Sequence, residues 1–105
     1  MIHGTWLPAT ITYATDDDLT PEVDLVRQWE QMCLIIPTID SANLTIYVSE
    51  TTGGTFYALG KSQTINAGTG LYATTVNLGG YRYIKIGTSA AQTANRIFRV
   101  CGYRS

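Results

Sequence analysis

The side chains able to perform acid–base or nucleophilic chemistry are few and widely spaced in this sequence. It contains one histidine, His3, and two cysteines, Cys33 and Cys101. A Ser-His-Asp or Cys-His arrangement would therefore have to be built around His3 alone, close to the N-terminus. One histidine and two distant cysteines also lack the spacing of zinc ligands. We therefore predict a protein that is not an enzyme and that has no cofactor.

An acidic cluster raises a second kind of chemistry, the binding of a hard cation. Asp16, Asp17 and Asp18 are consecutive, and Glu22 follows shortly afterwards. Calcium sites in loops use such oxygen ligands, but the spacing here matches no defined calcium loop. The sequence therefore favours a solvated loop over a metal site.

A third group of residues suits contact with a partner. In the stretch LGGYRYIKI, apolar and polar side chains alternate. Ile84 and Ile86 then lie on the core side of a strand, because successive side chains point to opposite sides. Tyr81, Tyr83 and Lys85 occupy the other side. Two aromatic rings and a cation on one face predict an interaction surface.

The elements that carry these residues are short β-rich runs separated by turn residues. This pattern is typical of a sandwich or a barrel. A chain of 105 residues suits one domain. We predict an all-β, single-domain antiparallel β-sandwich with seven or eight strands. The predicted strands are Ala9–Ala14, Val23–Trp29, Gln31–Ile36, Leu44–Ser49, Thr55–Leu59, Leu71–Leu78, Tyr81–Thr88 and Arg96–Tyr103. The predicted breaks between them are Asp16–Asp18, Pro37–Asp40, Gly53–Gly54, Gly68–Gly70 and Gly79–Gly80.

The two faces of these strands have different expected roles. The predicted core consists of Met32, Leu34, Ile36, Leu44, Ile46, Val48, Tyr72, Val76, Leu78, Ile84, Ile86, Phe98 and Val100. The other face of a free antiparallel sheet should be polar, yet here it carries several apolar and aromatic residues. Either the chain's own loops and N-terminal segment cover that face or a partner does, and the shortness of the chain favours a partner.

Eight residues are the candidates for this partner interface. Trp6, beside Pro8, suits a contact with another subunit or with the domain's own flank. The arginines of the last two strands suit carboxylates on a partner. The candidate interface residues are Trp6, Ile35, Tyr47, Tyr81, Tyr83, Lys85, Ile97 and Arg99.

Composition narrows the classes of partner and compartment. Charged residues make up 14% of the chain and the net charge is −1, so we predict neither nucleic acid nor membrane as a partner. The N-terminus lacks the features of a secretory signal, and no apolar run has the length of a membrane span. Without export, Cys33 and Cys101 are expected to stay reduced, although they could pair if their strands are adjacent.

Two segments carry a resemblance to a known family. They are IPTIDSANLTIYVSETTGGTFYAL, from Ile36 to Leu59, and LGGYRYIKIGTSAAQTANRIFRVCGYRS, from Leu78 to the end. Together they resemble a jelly-roll domain of tailed-bacteriophage virion proteins, with its IPTI corner, Gly-Gly hairpin, RYI strand and arginine-rich final strand. The hairpin and the RYI strand are also similar to galactose-binding, discoidin-like jelly rolls and related carbohydrate-binding modules.

The phage resemblance implies a jelly-roll sandwich over residues 23–105, with residues 1–22 as an N-terminal arm or an edge segment. It implies a capsid decoration (cement) protein that is made in the host cytoplasm and bridges capsomers on the virion surface. The expected partners are the major capsid protein and further copies of the chain, in a trimer. The alternative is a carbohydrate-binding or tail-fibre accessory module, in which Tyr47, Tyr81, Tyr83 and Trp6 stack on sugars.

Overall fold

The computed structural model describes residues 2–60 and 64–104, and all regular structure within them is strand. Eight antiparallel strands form one connected sheet, which confirms the predicted all-β architecture of seven or eight strands. No helix in the described residues could span a membrane. The strands are β1 (Ile2–His3), β2 (Leu7–Ile11), β3 (Val23–Asp24), β4 (Gln31–Ser49), β5 (Tyr57–Ala58), β6 (Ile65–Asn77), β7 (Tyr83–Thr88) and β8 (Arg96–Arg104).

Strand β4 organises the sheet because its two halves have different neighbours. Residues 31–35 lie between β8 and β6, whereas residues 44–49 pair with β7 on one side and, at residues 47–48, with β5 on the other. β1 and β2 extend the first half beyond β8, and β3 extends the second half beyond β7. The register of β4 with β6 shifts between Thr38 and Asn43. Such irregularities bend and twist strands, so the sheet curls around a common core.

Two predicted strand breaks are absent from the structure. The sequence predicted that β4 would be interrupted at Pro37–Asp40, but a single strand runs from Gln31 to Ser49. Pro37 lacks a backbone donor and lies at the edge of the stretch where the register shifts, a location that proline tolerates within sheets. Likewise, β6 begins at Ile65 rather than at Leu71 and includes the predicted glycine break.

The predicted core face is the buried face. Of the thirteen predicted core residues, all except Tyr72 are at least nine-tenths buried. Tyr72 is 40% exposed, and its phenol oxygen lies 3.5 Å from the carbonyl oxygen of Asn66 at the surface. The position of Tyr72 in the strand belongs to the inward face, but its long side chain carries the hydroxyl group out to solvent.

The N-terminal segment is part of the sheet. Its two strands, β1 and β2, both pair with the last strand, β8. Ala9 and Ile11 on β2 are buried. Trp29, only 3% exposed, packs where Gly102 of β8 has no side chain, and a Cβ there would overlap the indole.

Candidate functional site

Ile35, Ile97 and Arg99 lie together on the outward side of one half of the sheet. The strands in this half are β2, β8, β4 and β6, in that order. Cross-strand partners point to the same side of a sheet, so the register defines the whole surface. We call this surface the outer sheet face. It consists of Pro8, Thr10, Gln31, Cys33, Ile35, Ala73, Thr75, Asn77, Ile97, Arg99, Cys101 and Tyr103.

The outer sheet face is almost without charge. Ile97 is 54% exposed and Ile35 is 42% exposed. Ile35 is the cross-strand partner of Arg99, and Ile97 points to the same side two residues earlier on β8. Arg99 is the one member of the face that is charged at neutral pH, and no member is a carboxylate. This composition suits contact with protein better than contact with water.

Cys33 and Cys101 face each other on adjacent strands of this surface. Both are free thiols in the structure. The Sγ of Cys101 lies 3.3 Å from the carbonyl oxygen of Gly4 and donates a hydrogen bond to it. Burial raises the pKa of the Cys101 thiol, and the neighbouring Cys33 raises it further. Cys101 is therefore protonated at neutral pH and has a packing role.

Three other candidates, Tyr47, Tyr83 and Lys85, lie on the outward side of the second half of the sheet. Tyr47 is the cross-strand partner of Lys85, whose Nζ lies 4.7 Å from the ring centre of Phe56. The guanidinium carbon of Arg82 lies 5.1 Å from the ring centre of Tyr83. All three candidates are half-buried, and two of them, Tyr83 and Lys85, take part in these cation–π contacts. The chain's own side chains thus cover much of this second surface.

The last two candidates lie outside the strands. Trp6, immediately before β2, is 40% exposed, and Tyr81, two residues before β7, is 38% exposed. Trp6 is next to the edge strand of the outer sheet face. The structure therefore does not assemble the eight candidates into one site, but places them on separate surfaces.

Tyr81 borders an open groove of about 700 Å³. Trp29, just before β4, and Glu50, just after it, both line this groove because β4 curls back on itself. Arg27 and Arg104 also line it. The sequence singled out Tyr81 and, among the arginines of the last two strands, Arg104. It did not single out Arg27, which is far from Arg104 in the sequence and is brought to the same groove only by the fold.

Two carboxylates fix the loops around this region. The hydroxyl of Thr52 and the amide of Gly53 donate to the carboxylate of Glu22 at 2.6 and 2.8 Å. Arg82 donates twice to Asp24, at 2.7 and 3.0 Å. These hydrogen bonds lower the pKa values of Glu22 and Asp24. The hairpin and the turn after β6 are thereby tied to β3 and the residue before it.

A third polar cluster, centred on Gln92, was not foreseen from the sequence. Its side-chain oxygen accepts from the amide of Asp40 at 2.8 Å, and its side-chain nitrogen donates to the carbonyl oxygens of Asp40 and Ala90. The amide and hydroxyl of Thr93 donate to the Asp40 carboxylate at 2.7 and 2.9 Å. Gln92 is buried and fully hydrogen-bonded. The cluster therefore holds the loop before β8 against the bend of β4.

Backbone hydrogen bonds hold the acidic cluster of Asp16, Asp17 and Asp18 against the rest of the fold. The carbonyl oxygens of Asp17 and Asp18 accept hydrogen bonds from the amides of Gln92 and Thr88 at 2.7 and 2.8 Å. Within residues 2–60 and 64–104, no three His, Cys, Asp or Glu side chains are grouped so as to hold a metal ion. His3 is exposed on the edge strand β1. The described chain thus shows no cluster of these side chains of the size that would hold a metal ion.

Comparison with known proteins identifies a protein of the same fold. The crystal structure of the SPBc2 prophage-derived protein YomS matches with a TM-score of 0.60 and 12% sequence identity, over 97% of this chain and 95% of that chain. At this identity the likeness shows a shared fold. No family model matches the sequence, and neither does any curated protein.

Proposed function

We propose that this protein is a noncatalytic structural subunit of a bacteriophage particle, which decorates and stabilises the capsid as a homo-oligomer. The observation that carries the proposal is the composition of the outer sheet face. It exposes Ile35 and Ile97 beside a single arginine and no carboxylate. A sheet face of this kind suits burial against protein in a lasting assembly.

The occupant of the outer sheet face in this proposal is another copy of the chain. Sheets stack at about 10 Å when their facing side chains are small enough to interdigitate. Thr10, Ala73 and Thr75 provide such small side chains around the two isoleucines. Burying this face strips water from few charged groups, so desolvation opposes association only weakly. A trimer, in which the outer sheet faces of three copies meet around the threefold axis, is the expected state, because the phage proteins that the sequence resembles include cement proteins at threefold positions.

Two observations support a role in a phage particle. The fold is shared with a prophage-derived protein over nearly the whole of both chains. The motifs from Ile36 onward also resemble those of phage virion jelly rolls. In the proposed role the protein contacts the major capsid protein. A protein that binds only the assembled lattice stabilises that lattice by mass action, so the proposed role needs no reactive group.

The assembly is tested by analytical ultracentrifugation of three single variants. Ile35→Glu and Ile97→Glu place a carboxylate on the outer sheet face, where burial in an interface would desolvate it. Val26→Glu is the matched control, because Val26 is 63% exposed and lies in the loop before β4, outside that face. The wild type and the control are expected to sediment as the same oligomer. The self-association of each of the two face variants is expected to be at least about tenfold weaker. A monomeric wild type would contradict the proposal.

The capsid role is tested by mixing the protein with expanded phage capsids that lack their decoration protein. The wild type is expected to co-sediment saturably and to raise the temperature at which the shells disrupt. An oligomer that leaves the capsids unbound and unstabilised would contradict decoration, while the self-association result would stand separately.

A further inference from the structure

The groove bordered by Tyr81 is separate from the outer sheet face, since the two surfaces have no residue in common. Its volume of about 700 Å³ falls in the range of small-ligand sites, about 300–1,000 Å³. Its function therefore does not depend on the proposed assembly, and each can be tested without the other.

The groove concentrates positive charge in a chain whose net charge is −1. Arg27, Arg82 and Arg104 line it, which is three of the seven lysines and arginines of the chain. Arg82 is held by Asp24. Within the described residues, Arg27 and Arg104 form no ion pair. Two guanidinium groups are therefore available to pair with carboxylates of a ligand.

The remaining side chains of the groove suit a hydroxyl-rich ligand. Tyr81 and Tyr83 contribute aromatic rings, of which Tyr81 is the more exposed. Gln28 and Glu50 are exposed and provide donors and acceptors for hydroxyl groups. The expected ligand therefore combines ring faces, hydroxyls and negative charges.

The backbone around the groove is held by the rest of the fold. The amide of Gly80 donates to the carbonyl oxygen of Trp29 at 2.9 Å. The amide of Leu25 donates to the carbonyl oxygen of Arg82 at 3.0 Å. The bidentate pair of Arg82 with Asp24 adds a side-chain connection between the same two segments. A groove with fixed walls loses little conformational entropy when a ligand binds.

We propose that this groove binds an anionic saccharide, a sugar chain that carries carboxylate groups. Arg27 and Arg104 pair with the carboxylates, and Tyr81 stacks against a sugar ring. Gln28 and Glu50 exchange hydrogen bonds with hydroxyl groups of neighbouring sugars.

The test is a titration of the full chain followed by two-dimensional amide NMR, which detects weak binding and locates it. The probes are oligogalacturonate, a neutral galactose oligomer of equal length and hexaglutamate. Oligogalacturonate is expected to shift the amide signals of Gly79, Gly80 and Tyr81, with little effect from the other two probes. Arg27→Gln and Arg104→Gln are each expected to weaken binding about tenfold. Tyr81→Ala is also expected to weaken it, whereas Tyr81→Phe retains the ring and most of the affinity.

The matched control is Arg99→Gln, which removes the same charge from the outer sheet face. Its affinity for oligogalacturonate is expected to equal that of the wild type. Equal weakening by this control would show non-specific attraction and overturn the proposal. Equal binding of the neutral oligomer, absence of shifts with oligogalacturonate, or binding of hexaglutamate in its place would each overturn it as well.

Discussion

At the scale of single residues, three carboxylates tie loops to the sheet. Hydrogen bonds from Thr52 and Gly53 lower the pKa of Glu22. Hydrogen bonds from Arg82 lower the pKa of Asp24, and hydrogen bonds from Thr93 lower the pKa of Asp40. The donors lie 30 to 58 residues away in the sequence. Each carboxylate therefore joins two segments that are far apart in the sequence, and the residues around it do not predict this contact.

Replacing Asp40 by Asn is expected to remove part of the acid sensitivity of folding. The pKa of Asp40 in the folded protein lies below its ordinary value of 3.8. Its contribution to stability is therefore fully present above that value and is lost as the pH falls through the lowered pKa. Urea unfolding from pH 7 to pH 2 is expected to show a less stable variant at neutral pH, with the difference from wild type narrowing below pH 3.8.

Thr93→Val provides the control for this pH effect. It removes the hydroxyl donor and retains the amide donor to the Asp40 carboxylate, so it should show a smaller version of the same narrowing. A stability difference for Asp40→Asn that stays constant across the whole pH range would rule out this account.

At the scale of elements, the long bent strand β4 decides the architecture. The alternation of apolar residues correctly predicted the second half of β4 and strands β7 and β8, with small differences at their ends. It failed at Pro37–Asp40 and at Gly68–Gly70, which were predicted as breaks and are instead strand. Proline and glycine weaken a strand locally, but pairing along the rest of a long strand carries it through such a site.

Two glycines of β6 allow the stability cost of backbone strain to be separated from the cost of a steric overlap. Gly68 and Gly70 have φ values of 56° and 77°, so alanine at either position costs about 1 kcal/mol in left-handed strain. A Cβ on Gly70 would also overlap the carbonyl of Pro37 on β4, whereas one on Gly68 meets nothing within 4 Å. Urea unfolding is expected to show Gly70→Ala less stable than Gly68→Ala by about 2 kcal/mol. Equal losses would contradict the close approach.

At the scale of the whole molecule, the two ends of the chain lie side by side. Strands β1 and β2 pair with β8, whose other neighbour is β4. Because β1 and β2 pair with β8, the sheet is complete only when β8 has been made. Such long-range pairing is typical of slowly folding β proteins.

The N-terminal segment is expected to contribute to global stability. Ile11 is completely buried, so Ile11→Ala should lower the free energy of unfolding by about 2–4 kcal/mol. The control Thr12→Ala, at the exposed next residue, should leave it nearly unchanged. Both are measured by urea unfolding. An unchanged stability in Ile11→Ala would show that this segment acts as a detachable arm.

The sequence by itself determined the strand content and the direction of the core. Side chains alternate along a strand with a period of two residues, so Leu44, Ile46 and Val48 specify an inward face without knowledge of any partner strand. The same alternation left Ile35 and Ile97 facing outward, and both are exposed in the structure.

The tertiary structure alone decided which residues meet. The opposition of Cys33 and Cys101 depends on the register of β4 with β8, and the convergence of Arg27 with Arg104 depends on how the curled sheet closes. Register and closure are set by the summed pairing and burial of the whole chain, to which any local pattern contributes only a small part. The division of the predicted interface residues between separate surfaces follows from that closure.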